Sequence, residues 1–150
     1  MRLVIQRVTK ASVHIDKKTY SEINTGLLVL IGIEHDDLKA DADYLASKCC
    51  NLRVFDDQDG KMNLSIKDIK GEILVVSQFT LHASTKKGNR PSYIKAAKHN
   101  TAVPLYDYFI EKMNIAIDHQ VKTGVFGADM YIEMVNHGPV TILIDSKNKE

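Results

Sequence analysis

Apolar and polar positions alternate along the first fifteen residues in two short runs. Leu3, Ile5 and Arg7 fall on one face, Val4, Gln6 and Val8 on the other, and Val13 and Ile15 repeat the period. A period of two predicts strands. Asp16-Lys17-Lys18 is a turn candidate. Residues 26–33 are apolar without alternation, begin at a glycine and are too short for most helices, so they read as a strand buried on both faces. The period then changes: Leu38, Ala42, Leu45, Cys49 and Leu52 recur every three or four residues. Asp36 and Asp37 stand in front of them, where acids suit a helix N-terminus. Asp56-Asp57-Gln58-Asp59-Gly60-Lys61 is a turn that lacks the spacing and closing Glu of a calcium loop.

A second apolar strand covers 73–76 and runs on into Ser77-Gln78-Phe79-Thr80-Leu81, followed by a loop to about Asn100. Thr101 can cap a helix with Pro104 in its first turn. Leu105, Phe109, Met113 and Ala116 form the core stripe of that helix, and Gly124 ends it. Residues 130–135 and 140–144 read as two strands joined by a turn at Asn136-His137-Gly138-Pro139. Strands come consecutively at both ends, with two long helices between. The expected fold is α+β, one domain over residues 1–150, with a mixed or largely antiparallel sheet.

Composition narrows the function classes. With 44% hydrophobic and 26% charged residues in 150, the chain has the makings of a single core. A net charge of +1 excludes a globally basic nucleic-acid binder but leaves room for a local patch. Cys49 and Cys50 are neighbours and cannot form a disulfide scaffold, so a reduced, cytoplasmic protein is expected. No apolar run is long enough for a membrane span, and the charged start Met1-Arg2 does not suit a signal peptide.

Most catalytic motifs are missing. There is no phosphate-binding glycine loop, no Gly-x-Ser-x-Gly elbow, and no His-Glu-x-x-His or Cys-x-x-Cys, so neither a metal nor another cofactor is expected. Two places stand out. Ser77, Gln78 and Thr80 collect hydrogen-bonding groups where a buried strand ends, either as a site rim or simply as satisfied edge groups. On a continued strand Thr80 and His82 would share a face, which makes a nucleophile–base pair conceivable. Gly138-Pro139 is either an ordinary turn or a place where the backbone takes the cis form that only X–Pro bonds reach readily. A third feature is electrostatic: from Ile73 to Tyr106 there is no Asp or Glu, while Lys86, Lys87, Arg90, Lys95 and Lys98 all lie there. That stretch is a phosphate-binding loop or a solvated basic one.

These residues together resemble a known family. Val75-Val76-Ser77-Gln78-Phe79-Thr80-Leu81 and Val135-Asn136-His137-Gly138-Pro139-Val140-Thr141 match two signatures of the D-aminoacyl-tRNA deacylases, in order and about sixty residues apart. Supporting stretches run from end to end, among them Gln6-Arg7-Val8, Asp59-Gly60-Lys61-Met62-Asn63-Leu64, Arg90-Pro91-Ser92 and Ala128-Asp129-Met130. His82 and Tyr93 depart from the family, whose members often carry Ala and Phe there.

The resemblance implies a barrel-like sheet with two helices, and a homodimer with its site at the subunit interface. It implies hydrolysis of the ester joining a D-amino acid, or glycine, to the terminal ribose of tRNA. Ser77, Gln78, Phe79 and Thr80 would line the pocket for the 3′-terminal adenosine and aminoacyl group. Gly138 and Pro139, braced by Arg7 and joined by a cis bond, would exclude L side chains in the partner's pocket. Met130, Asn136, Lys86, Lys87 and Arg90 would contact substrate or tRNA. The chemistry expected is water attack aided by the substrate's 2′-hydroxyl, with the Phe79 and Thr80 amides holding the oxyanion. Covalent attack by Thr80 is the rival. Neither a membrane nor DNA is an expected partner. A tRNA-binding module without catalysis is the alternative function.

Overall fold

The computed structural model describes residues 1–149. Its spine is β1, Arg2–Ile15, a single fourteen-residue strand where the alternation had suggested two. One edge of β1 pairs antiparallel with β8, Tyr131–Asp145. Its other edge is divided: Arg2–Val8 pairs with β3, Gly26–Gly32, and Ala11–Ile15 with β2, Lys18–Ile23. Asp16 and Lys17 both have positive φ, 50° and 62°, and make the tight turn from β1 to β2. Parallel pairings carry the sheet on from β3 to β6, Glu72–Ser77, and to β7, Lys122–Thr123. The hydroxyl of Ser21 in β2 donates to the carbonyl of Thr123 in β7 at 2.8 Å, bringing the two ends of the path together. The mixed sheet is thereby nearly closed into a barrel. A separate small hairpin, β4 (Phe55–Asp56) and β5 (Met62–Leu64), holds the turn seen at 56–61.

Two cores follow from two faces. Leu27, Val29, Ile31, Ile73 and Val75 point to the helices, while Leu28, Leu74 and Val76 join Val8, Ala11, Val13 and Ile23 inside the curl of the sheet. β3 and β6 are therefore buried on both sides, which is why their apolar runs do not alternate. α1, Lys39–Asn51, and α2, His99–Ile117, pack on each other and cover the first face. The Tyr106 hydroxyl donates to the Val75 carbonyl at 3.2 Å, tying α2 to β6.

Several boundaries differ from expectation. α2 starts at His99 with Lys98 as its N-cap, so Thr101 lies in the first turn and does not cap it, and Pro104 lies inside the helix. It ends at Asp118, which takes a left-handed conformation, and Gly124 lies beyond β7. Residues 131–145 form one continuous strand with no hairpin at 136–139. Strand β6 stops at Ser77, and Phe79–His82 form a 3-10 turn. Asp41, not Asp36 or Asp37, fills the first turn of α1, accepting the Leu38 amide at 2.8 Å. Asp37 is buried against the Met1 ammonium, 2.5 Å away, and accepts the Glu34 amide.

Cys49 and Cys50 are free and fully buried. Burial pushes the Cys49 thiol well up, and pushes Cys50 up to about 11 against a partly offsetting Lys67 charge. Neither thiol should react with iodoacetamide at pH 8 until the protein unfolds. An exposed thiol ionises near pH ~8.5, so above that pH the unfolded chain loses these protons first and stability falls as pH rises toward the native values. Urea denaturation at pH 8 and pH 10.5 checks the sign, and Cys50→Ala should shrink the difference.

Candidate active site

The polar end of β6 is shaped by its neighbour β3. Ser77 pairs with Ile31, and the Gln78 amide donates to the Ile31 carbonyl at 2.7 Å, the last ladder bond before the chain turns. The 3-10 turn closes with Leu81 N–H on the Gln78 carbonyl (3.2 Å) and Ala83 N–H on that of Thr80 (3.0 Å). Three residues per turn place Thr80 and His82 well apart around the axis. The Thr80–His82 pair that a continued strand would have allowed is therefore not made. The Thr80 hydroxyl instead accepts from the Gln78 side-chain amide at 2.5 Å, and the His82 ring is buried with Nδ1 3.0 Å from Oε1 of Glu34. The first turn bond comes from Leu81, so the turn itself does not use the Phe79 and Thr80 N–H groups.

A pocket of about 390 Å³ opens at this strand end. Val76, Ser77, Gln78 and Phe79 form one wall, and Met130 and Ile132 a second. Met130 reaches it because Gly124 leaves room: a Cβ there would stand 2.5 Å from the Met130 sulfur. His99, at the start of α2, and Phe126, in edge-to-face contact at 5.4 Å, line it further, together with Asp129 and its neighbours. Phe79 is 55% exposed and meets Tyr93 edge-to-face at 5.0 Å. Sequence reasoning missed His99, Phe126 and Asp129 as lining residues. The available signal was an aromatic residue between Gly124 and Gly127 just after a helix, a bend that reading the glycine as a helix end concealed.

The second signature sits in a bulge. Gln6 pairs with Thr141 and Val8 with Asn136, so Arg7 alone stands opposite four residues of β8, 137–140. Surplus residues must leave the ladder, and they carry Gly138 and Pro139 outward, both exposed, with a cis bond between them. Arg7 is buried beneath: Nε donates to the His137 carbonyl at 3.0 Å, and Nη1 to the Val54 carbonyl at 2.7 Å and to Asp56 Oδ1 at 3.1 Å. Asn136 closes the neck, its side-chain amide donating to Gln6 Oε1 at 2.9 Å and the Val140 carbonyl at 3.3 Å. Asn136 thus shapes the bulge from within.

One chain does not bring the two signatures together. The bulge borders a different cavity of about 570 Å³, lined by Arg7, His137, Asp56 and Glu72 among others, which shares no residue with the β6 pocket. Lys86, Lys87 and Arg90 are exposed on the loop between the 3-10 turn and α2, with no ionic partner among the described residues. Among those residues no group of three or more His, Cys, Asp or Glu is placed to hold a metal ion, and no helix is long and apolar enough to cross a membrane.

Residues 4–145 match the model of the D-Tyr-tRNA(Tyr) deacylase family. The chain belongs to this family. Membership makes it an enzyme, a hydrolase. Relatives named D-aminoacyl-tRNA deacylase from Phocaeicola vulgatus and Flavobacterium psychrophilum are 59% and 58% identical to it over 150 residues, the full length of both partners. Among solved structures, one named c-Myc DNA Unwinding Element Binding Protein is 39% identical, with a TM-score of 0.91 over 97% of this chain and 98% of that one. A probable eukaryotic D-amino acid tRNA deacylase shares the fold at 16% identity, with a TM-score of 0.82 over 95% of this chain and 97% of that one. In this deacylase-family chain the bulge leaves little freedom at Gly138. Its φ is +134°, and a Cβ would lie 2.7 Å from Val140 Cγ2 and 2.9 Å from the Val140 amide. Gly138→Ala should cost about 1–3 kcal/mol in chemical denaturation. Gly124→Ala should cost less, because only the flexible end of Met130 has to move.

Proposed function

We propose that this enzyme hydrolyses the ester linking a D-amino acid, or glycine, to the 3′-terminal ribose of tRNA, and so acts in the cytoplasm as a chiral proofreader of translation. The carrying observation is the β6-end pocket, lined by Ser77, Gln78 and Phe79 with Thr80 next in the chain, in a member of this family. Terminal adenosine and aminoacyl group occupy that pocket. An aminoacyl ester is already activated, so its hydrolysis needs placement, a water and a fixed partner for the oxyanion. Phe79 and Thr80 N–H groups serve as that partner, since fixed amides need no reorganisation as charge develops. The substrate's 2′-hydroxyl orients the water. No cofactor takes part. Thr80 as nucleophile is disfavoured by its bond to Gln78 and by the absence of His82 from its side.

Chirality is read by a second copy of the chain. Strand β8 exposes Tyr131 (69%) and Val135 (58%) before the bulge and Leu143 (63%) after it, apolar surface suited to a partner. In the homodimer the Gly138–Pro139 carbonyls of one subunit enter the other subunit's pocket and meet an L side chain. A D-amino acid or glycine presents hydrogen there and is accepted. Lys86, Lys87 and Arg90 lie against tRNA phosphates.

One assay on D-tyrosyl-, L-tyrosyl- and glycyl-tRNA tests this reading. Release from the D and glycyl esters with sparing of the L ester is expected. Equal cleavage of L and D, or refusal of glycyl-tRNA, sinks steric exclusion. Binding without hydrolysis of any ester would leave the non-catalytic tRNA-binding module. In the same assay Thr80→Ala should stay within about tenfold of the parent, whereas a loss of about three orders of magnitude would restore Thr80 as nucleophile.

Charge reversal at Lys86 and Lys87 should weaken tRNA binding and lower the magnitude of the log–log salt slope by roughly 0.7–0.9 for each lost phosphate contact. An unchanged slope would make these lysines a solvated surface.

A further inference from the structure

The 3-10 turn and the basic loop share one anchor. After the turn, residues 83–98 run outward, close on themselves through reciprocal Ser84–Ser92 backbone bonds (2.8 and 2.9 Å), and return to the segment Ile33–His35. Ala97 N–H donates to the Ile33 carbonyl at 2.8 Å, Glu34 bridges Ala96, and the His35 ring contacts the Ile94 carbonyl at 3.0 Å. The near end of the loop is held at the same place, by His82 Nδ1 3.0 Å from Glu34 Oε1. His82 lies directly on Gly32, where a Cβ would come within 2.9 Å of its ring. Across the top, Tyr93 of the loop touches Phe79 of the turn.

The pair is a poor choice for stability alone. The imidazole side chain is 1% exposed, its Nδ1 contact is off the line of a good hydrogen bond, and Nε2 has no partner among the described residues. Burying polar atoms so costs free energy that an apolar side chain would avoid. We propose that Glu34 and His82 are positioning residues: they hold the turn carrying the Phe79 and Thr80 amides in register with the basic loop, so that RNA phosphates on the loop help align the reacting ester. This rests on the function proposed above. His82 itself, being buried, does not touch substrate.

The test uses His82→Leu, His82→Asn, Glu34→Gln and the double variant His82→Leu/Glu34→Gln. Single-turnover hydrolysis is followed on D-tyrosyl-tRNA and on D-tyrosyl-adenosine, which has the ester but no loop-binding phosphates, with tRNA Kd and Tm measured alongside. His82→Leu and Glu34→Gln should each slow the tRNA reaction about tenfold, with the short ester changed less than about threefold and tRNA Kd less than about twofold. The double variant should be no slower than the slower single one, because the two residues act as one unit. His82→Asn, whose amide nitrogen takes the place of Nδ1, should recover most of the loss. Retention of the full rate advantage of tRNA over the short ester in His82→Leu and Glu34→Gln overturns the proposal. Equal slowing on both substrates with a lowered Tm also overturns it, and assigns the pair to stability. Both of those results leave deacylation by the parent intact; only a parent that cleaves neither D-ester removes the functional reading, and this proposal with it.

Discussion

The mismatch between β1 and β8 at Arg7 is the constraint on which the rest of the molecule turns. Both strands are long, both must keep their inward faces inward, and yet four residues of one stand opposite a single residue of the other. A one-residue slip would reverse every face beyond it, so the excess is expelled as a bulge and the pairing resumes on either side. The guanidinium of Arg7 makes that arrangement stable. It occupies the space under the bulge and binds the His137 carbonyl, the Val54 carbonyl and Asp56 at once. A buried Arg needs such partners, and the bulge needs donors for carbonyls that have left the ladder.

The β6-end pocket depends on a different use of the same sheet. β3 and β6 lie parallel and buried on both faces, so neither can carry polar side chains until the sheet ends. At Ser77 the strand passes out of the core and the polar residues begin. Gln78 is still tied to Ile31, and the chain then tightens into the 3-10 turn. Met130, admitted by the bare backbone of Gly124, gives the pocket its second wall. The pocket therefore draws on the ends of β6 and β8, the start of α2 and the loop at 126–130, with the exposed ring of Phe79 in its wall.

The two signatures lie at separate places on one chain, and that fact carries the argument for a dimer. In the function proposed above, the β6-end pocket and the exposed Gly138-Pro139, carried on a strand whose described pairing is to β1 alone, are complementary halves. Each makes sense when a second copy supplies the other.

Much of this was legible in the residues. Apolar runs at 26–33 and 73–76 gave the buried strands because only strands covered on both sides lose their alternation. The helical stripes of α1 and α2 were readable because a 3.6-residue period admits no other element of that length. The two signatures gave the family. Boundaries were less readable: Gly138-Pro139 looked like a hairpin turn because local sequence carries the turn signal but not the partner strand that runs straight past it. Thr80 and His82 looked like neighbours on a strand because nothing local announces that β6 ends at Ser77; the end is set by where β3 ends beside it. His99, Phe126 and Met130 are distant in sequence from Ser77 and meet it only after the sheet has curled. The sequence by itself determined which residues are apolar, how often they recur and hence which elements form. The tertiary structure decided which strand faces which, where a register fails and which side chains meet, because those outcomes depend on contacts between residues far apart in the chain.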